Sequence, residues 1–191
     1  MSLEKILKAE SVAIIGASKN ETKRGYQTIR TLLDEKYEGR IYPVNPKEKS
    51  ILGFKCYRKI SDIEEPVDVA LVATPAATLP AVLEDCGRNG VSGAVVLAGG
   101  FGEMGREGRK LENEMIAVAQ KHHIRLIGPN TSGMLNLHDH LNLVGLKDAP
   151  PGNIALLTQS GNMALTLITE AKIKSCKGFS YYVGVGNEAD I

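Results

Sequence analysis

The sequence predicts an α/β protein: a Rossmann-like parallel sheet covered by helices, followed by the start of a second α/β domain. Three observations carry this expectation. Short apolar runs alternate with longer amphipathic ones from residue 12 to residue 127, the rhythm of strand and helix in a parallel sheet. With 43% hydrophobic residues, dominated by Val, Ile, Leu and Ala, the chain can bury both faces of such a sheet. After a Gly/Pro/Asn/His-rich stretch at 128–152 the rhythm restarts, so domains at 1–145 and 150–191 joined by a linker are expected.

Each element has its own local reason. VAIIG at 12–16 is short, β-branched and closed by glycine, a first strand. Residues 26–35 carry Ile29, Leu32 and Leu33 at helical spacing, and Arg40–Val44 (RIYPV) is a second strand. DVALVA at 68–73 is a continuous apolar run, which suits a strand buried on both faces. Leu79–Arg88 reads as the next helix and GAVVL at 93–97 as the fourth strand. Residues 108–121 place Leu111, Met115, Val118 and Ala119 on one helical face, and Arg125–Ile127 gives a fifth strand. Beyond the linker come a strand at 154–157, a helix from 161 to about 171 and a strand at 179–185. One strand–helix–strand unit cannot bury its own faces, so the second domain reads as truncated or docked on another chain.

Composition narrows the function. Aromatics make up 5% with no Trp, which disfavours a base-stacking platform or a carbohydrate cleft. Lys plus Arg number 23 against 22 Asp plus Glu, so no large electrostatic footprint for nucleic acid or an anionic membrane is implied, although local basic clusters remain. Met1 to Glu10 is charged and has no signal-peptide core, and no apolar run reaches the ~20 residues of a membrane span. A cytoplasmic protein is expected. Cys56, Cys86 and Cys176 share no metal-ligand spacing and read as free thiols. His122 and His123 fall at a helix carboxyl end, where a cation is mildly favoured. His138-Asp139-His140 lacks further ligands, and no metal is assigned.

The chemistry centres on the turn after the first strand. Gly16-Ala17-Ser18-Lys19 lies where a parallel sheet binds its ligand, beyond the carboxyl ends of the strands. Gly25 can open the following helix with backbone N–H groups exposed to an anion. The spacing departs from G-x-G-x-x-G: an insertion at 19–24 adds Lys19, Lys23 and Arg24. A dinucleotide enzyme places Asp or Glu at the end of the second strand for the ribose hydroxyl. Here stand Val44, Asn45, Pro46 and Lys47, with Glu48 past the proline and flanked by lysines. Lysines near a ribose suit a phosphorylated one, which means NADP or the 3′-phosphate of coenzyme A; a merely solvated loop is the bland alternative.

The segments VAIIGAS (12–18), YPVNPK (42–47), GFKCY (53–57), EPVDVALVATPA (65–76), GVSGAVVLAGGFGE (90–103), LIGPNTSGMLN (126–136), IALLTQSGNMA (154–164) and VGVGNEADI (183–191) occur in one characteristic order. In this the chain resembles the CoA-binding domain or α subunit of the nucleoside-diphosphate-forming acyl-CoA synthetases, the succinyl-CoA synthetase superfamily. The ADP-forming acetyl-CoA synthetases are the nearest branch. The resemblance covers nearly the whole chain, and its specificity lies in the combined order. It implies a Rossmann-like CoA-binding domain followed by a flavodoxin-like one. Gly16, Ala17, Ser18, Lys19 and Arg24 would hold the CoA phosphates, and Val44, Asn45, Pro46 and Lys47 the adenosine end. Thr74, Pro75, Ala76, Leu97, Ala98 and Gly99 would border the pantetheine arm; a helix start capped by Thr74, with Pro75 in its first turn, explains Thr74-Pro75-Ala76 equally well. Ser160, Gly161 and Asn162, opening a helix, would receive a phosphate or a phosphohistidine, and Pro129 and Asn130 would form an active-site loop.

The implied reaction is acyl-CoA + ADP + phosphate ⇌ acid + ATP + CoA, through an acyl phosphate and a phosphohistidine. That histidine lies downstream of this chain, so no catalytic residue is assigned here, and the fragment alone is expected to bind CoA without turnover. Mg-ADP or Mg-ATP would be handled by an ATP-grasp subunit or domain, within a homo- or hetero-oligomer. Two departures stand out: Thr131 replaces the cysteine many relatives carry after Gly-Pro-Asn, and Leu165 replaces the tyrosine of succinate-type enzymes, which favours monocarboxylic acids. Competing readings are a CoA-sensing domain fused to a protein acetyltransferase and, with less support, an NADP-dependent oxidoreductase.

Overall fold

The computed structural model describes residues 3–174 and 178–190; Cys176, one of the three predicted free thiols, and the terminal Ile191 lie outside the described residues. The chain opens with a four-residue helix, α1 (Glu4–Leu7), and strand β1 (Ser11–Ile15). Then follow α2 (Arg24–Asp34), β2 (Arg40–Val44), a small hairpin of β3 (Ser50–Ile51) and β4 (Phe54–Lys55), β5 (Val69–Val72) and α3 (Leu79–Arg88). β6 (Gly93–Val96), α4 (Arg106–Lys121) and β7 (Arg125–Ile127) complete the first sheet. Its order is β2-β1-β5-β6-β7, parallel throughout.

Every residue of β1, β5 and β6 is buried, as their uninterrupted apolar runs require. Successive side chains point to opposite faces. Ala13, Ile15, Ala70 and Val72 therefore pack against Leu79 and Leu83 of α3 and Met115 of α4. Val12, Ile14, Val69 and Leu71 pack against Ile29 and Leu32 of α2. α1, not foreseen from its charged sequence, buries Ile6, whose side chain fits beneath Gly93: a Cβ there would lie 2.7 Å from it.

The stretch at 128–152 is more than a linker. It holds β8 (Met134–Asn136) and β9 (Leu141–Asn142), while Met134, Leu141 and Leu143 join the α2-side core of the first sheet. Glycine, asparagine and histidine hid this, because the strands are short and their apolar residues were too few for a periodic signal. β10 (Pro151–Thr158), α5 (Gly161–Ile173) and β11 (Phe179–Gly184) follow. The second sheet runs β10-β11-β8-β9, with β10 and β11 parallel and the β11–β8 and β8–β9 pairs antiparallel. The expected strand–helix–strand unit thus gains two strands. No helix among the described residues is long and apolar enough to cross a membrane.

Candidate functional site

The strand order reverses direction at β1: β2 lies on one side of it and β5 on the other. In an open parallel sheet that switch point is where loops diverge and a ligand crevice opens. The turn after β1 occupies it. Gly16 has φ +88°, and a Cβ there would sit 2.8 Å from the Ala73 carbonyl oxygen and 3.1 Å from Thr74 Cγ2, so glycine is required for both conformation and space. The N–H groups of Gly16 and Ala17 both donate to the Val44 carbonyl, at 3.0 and 3.3 Å. Gly25 in the first turn of α2 brings the helix against this turn: a Cβ on it would meet the Gly16 carbonyl oxygen at 2.4 Å. α2 begins without a side-chain cap, so its N-terminal dipole faces the crevice uncompensated by its own residues.

A cleft of about 340 Å³ opens beside the turn. The predicted residues Gly16, Val44, Asn45, Pro46, Thr74 and Pro75 line it, joined by Arg58, Lys59, Thr78 and Asp85, which sequence reasoning missed. The last four carry no local motif; Arg58 and Lys59 enter the wall because residues 56–63 fold back from the β3–β4 hairpin, and Thr78 and Asp85 come from the 3-10 turn and α3 that follow β5. Two carboxylates near the end of β2 are engaged already. Asp85 accepts the N–H groups of Ile60 and Ser61 at 3.0 and 3.4 Å, and Glu48 pairs with Lys19 Nζ at 2.9 Å. Arg58 and Lys59 give the lining a positive balance. Asn45 is structural: its Nδ2 donates to the Ala17 carbonyl at 2.6 Å, and its Oδ1 accepts the Lys47 N–H at 2.8 Å, fixing the β2 loop against the phosphate turn. Cys56 lies buried behind this loop, with burial pushing its thiol upward.

Other expected residues stand apart. Ala17 is fully buried, Ser18 Oγ accepts the Asn20 N–H at 3.0 Å, and Lys47 is exposed outside the cleft lining. Arg24 turns away from the cleft: its Nη2 donates to the Ser132 carbonyl at 3.1 Å. The helix-start explanation of Thr74-Pro75 needs correction. A 3-10 turn at Ala76–Thr78 intervenes, Thr78 Oγ1 donates to the Pro75 carbonyl at 2.7 Å, and α3 starts only at Leu79. Thr74 instead meets Thr78 hydroxyl to hydroxyl at 2.8 Å on the cleft wall.

Further along the strand ends, Leu97, Ala98 and Gly99 follow β6 and touch the loop after β7. The Asn130 N–H donates to the Ala98 carbonyl at 2.8 Å. That loop is clamped by the second sheet. Thr131 Oγ1 donates to the Gly184 carbonyl and accepts the Gly133 N–H, and Ser132 Oγ lies 2.5 Å from the Tyr182 hydroxyl. A Cβ on Gly161 would lie 3.0 Å from Ser132 Cβ, so the N-terminus of α5 stands directly beside the loop. Ser160 caps that helix through the Met163 N–H at 3.2 Å, which leaves the N–H groups of Gly161 and Asn162 without intrahelical acceptors. The residue at 131 thus holds the loop to β11. A second cavity of about 340 Å³, walled mainly by Leu3, Ile6, Leu126, Leu157 and Val183, lies away from the phosphate turn.

A glycine turn at the switch point, a helix end without a side-chain cap and a cleft lined by Arg58 and Lys59 sit on a parallel sheet of Rossmann type. The chain belongs to the CoA-binding domain family, whose model matches residues 10–136, and a model described as a succinyl-CoA ligase-like flavodoxin domain matches 151–191. Its relatives include the ADP-forming acetate–CoA ligase of Methanocaldococcus jannaschii, 43% identical over 95% of this chain and 25% of that protein. The α subunit of ADP-forming acetate–CoA ligase I of Pyrococcus furiosus is 41% identical over 100% of this chain and 42% of its own length. Among solved structures, the dinucleotide forming acetyl-coenzyme A synthetase 1 of Ca. Korarchaeum cryptofilum, in complex with phosphate and ADP, superposes with a TM-score of 0.94 at 38% identity; the match covers the whole of this chain and 40% of that one. The chain thus spans less than half the length of each.

Proposed function

We propose that this chain is the CoA-binding part of an ADP-forming acid–CoA ligase acting on a small monocarboxylic acid such as acetate. The observation that supports it most is the cleft at the switch point, where Arg58 and Lys59 line the walls and the nearby carboxylates of Asp85 and Glu48 are already bonded. A dinucleotide ribose finds no free carboxylate at the end of β2, whereas a phosphorylated adenosine finds cations. In this reading Gly16, Ala17, Ser18 and Lys19 form the turn that holds the CoA phosphates; the N–H groups of Gly16 and Ala17 are taken by the Val44 carbonyl, so the donors are those of Ser18 and Lys19. Lys47 reaches the 3′-phosphate, and Thr74, Pro75, Ala76, Leu97, Ala98 and Gly99 flank the arm. Arg24 acts through Ser132 on the 128–133 loop.

The proposed division, residues 1–145 for CoA and 150–191 for the start of a flavodoxin-like domain, leaves the second sheet drawing β8 and β9 from the first segment. Pro129 and Asn130 and the α5 N-terminus at Ser160, Gly161 and Asn162 would then face the acyl end. There the backbone N–H groups and helix dipole would offset the charge of a phosphate. The phosphohistidine, the ATP-grasp subunit or domain with its Mg-nucleotide, and the oligomeric assembly would lie outside these residues. The protein would work in the cytoplasm.

Calorimetry with CoA, dephospho-CoA, NAD and NADP tests the reading. CoA binding more tightly than dephospho-CoA, with NAD and NADP silent, is expected. NADP binding with CoA silent would overturn it, and equal affinity for CoA and dephospho-CoA would remove Lys47 from the site.

A further inference from the structure

Three loops meet beyond the ends of β6, β7 and β11, and the chemistry of one carboxylate sets the sense of the hydrogen bonds among them. Glu103 Oε1 accepts the Gly100 N–H at 2.6 Å, and its Oε2 accepts the Asn187 side-chain amide at 2.5 Å. A carboxylate can only accept, so Asn187 must present its NH2 group to Glu103 and its carbonyl to the other side. That carbonyl takes the Asn130 Nδ2 at 3.3 Å, which turns the Asn130 Oδ1 toward Gly99. A Cβ built on Gly99 would lie 3.0 Å from Glu103 Oε1 and 3.1 Å from Asn130 Oδ1. The two acceptor oxygens therefore stand close together over Gly99, where any side chain would crowd them.

The backbone holds the arrangement in place. The Asn130 N–H is bonded to Ala98 and the Asn187 N–H to the Pro129 carbonyl at 2.9 Å, so both asparagines are anchored at their main chains. Partial burial works to raise the Glu103 carboxyl, yet the N–H of Gly100 and the amide of Asn187 outweigh it and keep the group below the ordinary range. It is ionised, and acceptor-only, at neutral pH.

A convergent acceptor pair calls for a donor. The phosphate turn follows β1, and β6 lies two strands away, about 10 Å across the sheet. In the CoA reading Leu97, Ala98 and Gly99 border the arm on its way from Gly16 to the Asn130 loop. Resting on the CoA reading above, we propose that Glu103 Oε1 and Asn130 Oδ1 receive a secondary-amide N–H of the pantetheine arm, with Asn187 as the positioning residue that transmits the sense of the Glu103 carboxylate to the Asn130 amide. Glycine at 99 keeps any side chain from displacing the two oxygens, and the pair distinguishes an amide-bearing chain from a purely aliphatic one.

The test compares CoA with adenosine 3′,5′-bisphosphate, which has the nucleotide half and no arm, by calorimetry on wild type, Glu103→Gln and Asn187→Ala. Glu103→Gln can donate as well as accept, so it no longer dictates the relay; Asn187→Ala removes the relay and leaves the carboxylate. The expected result is CoA affinity about tenfold weaker in both variants, the scale of one hydrogen bond to a charged or positioned acceptor, with the bisphosphate unchanged. Unchanged CoA affinity in both variants would overturn the arm contact while leaving the CoA reading intact. An equal loss for both ligands would also overturn it, since the residues would then merely support the fold. Wild type that binds neither ligand would overturn the CoA reading and this inference with it.

Discussion

Gly16 and Gly53 form a natural pair for measuring what the turn after β1 demands of its glycine. Their backbones are nearly identical, φ +88° and +87°, yet a Cβ on Gly16 would lie 2.8 Å from the Ala73 carbonyl oxygen, whereas nothing lies within 4 Å of one on Gly53. Alanine at either position adopts a left-handed conformation at a cost of about 1–2 kcal/mol, offset by about 0.5–1 kcal/mol from the stiffer unfolded chain. The net cost at Gly53, in the β3–β4 hairpin, is therefore about 1 kcal/mol. At Gly16 the overlap with backbone adds about 1–3 kcal/mol, because the Ala73 carbonyl, one residue past β5 and anchored by the Ala73 N–H on the Ile15 carbonyl, cannot swing aside as a side chain can. For a chain of this size about 1 kcal/mol moves Tm by 2–4 °C, so Gly53→Ala should lower Tm by about 3 °C and Gly16→Ala by roughly 6–12 °C. Thermal unfolding followed by far-UV circular dichroism, with urea midpoints alongside, reads both. Equal losses in the two variants would refute the reasoning: strain alone would then explain Gly16, and the close approach of β1 and β5 at the switch point would not constrain the turn.

Other outcomes follow from the same structure. Glu84 joins α3 to the end of α4, accepting from Lys121 at 2.9 and 3.0 Å, from His122 at 2.8 Å and from Arg88 at 3.0 Å. Lys121 foremost, with His122 and Arg88, holds its carboxyl down to about 2, against 4.5 in the unfolded chain. A depressed folded value means that the stabilisation is complete above about pH 4.5 and is lost as pH falls toward 2. The gap in urea midpoint between wild type and Glu84→Gln should accordingly be widest near neutrality and narrow progressively as pH falls from about 4.5 toward 2, and a gap as wide at pH 2.5 as at neutrality would contradict this. Thr131→Val leaves the buried Gly133 N–H and Gly184 carbonyl without their shared hydroxyl and should cost about 1–3 kcal/mol, while Thr131→Ser should keep most of it; equal losses in calorimetric Tm would show that the methyl, not the hydroxyl, matters. Lys47→Ala should weaken CoA more than dephospho-CoA in a titration, and equal weakening would place the lysine away from the 3′-phosphate.

Much of the first sheet was legible because its information is local. The run RIYPV ends where β2 ends, and Leu79–Arg88 is the observed α3, since period-two and period-3.6 patterns need only neighbouring residues to be read. Gly16 at the end of a β-branched run was legible for the same reason, and so was the helix opening at Gly161. Sequence alone also ordered the motifs that carry the family likeness, because they are contiguous strings.

What tertiary structure decided are the contacts between segments far apart in the chain. Met134 and Leu141 are core residues only because β8 and β9 pack on the α2 side and β8 pairs with β11 and β9, a placement that no local period announces. Arg24 looked like a phosphate ligand by its position in the turn, but the loop after β7 offers it the Ser132 carbonyl, 108 residues away. Glu103, Asn130 and Asn187 mean little as separate polar residues in three loops. They become a relay when β6, β7 and β11 end side by side and one acceptor-only group imposes its sense on two amides. Periodicity and turn chemistry are written along the chain, whereas hydrogen-bond polarity among loops exists only once the strands beneath them are in register.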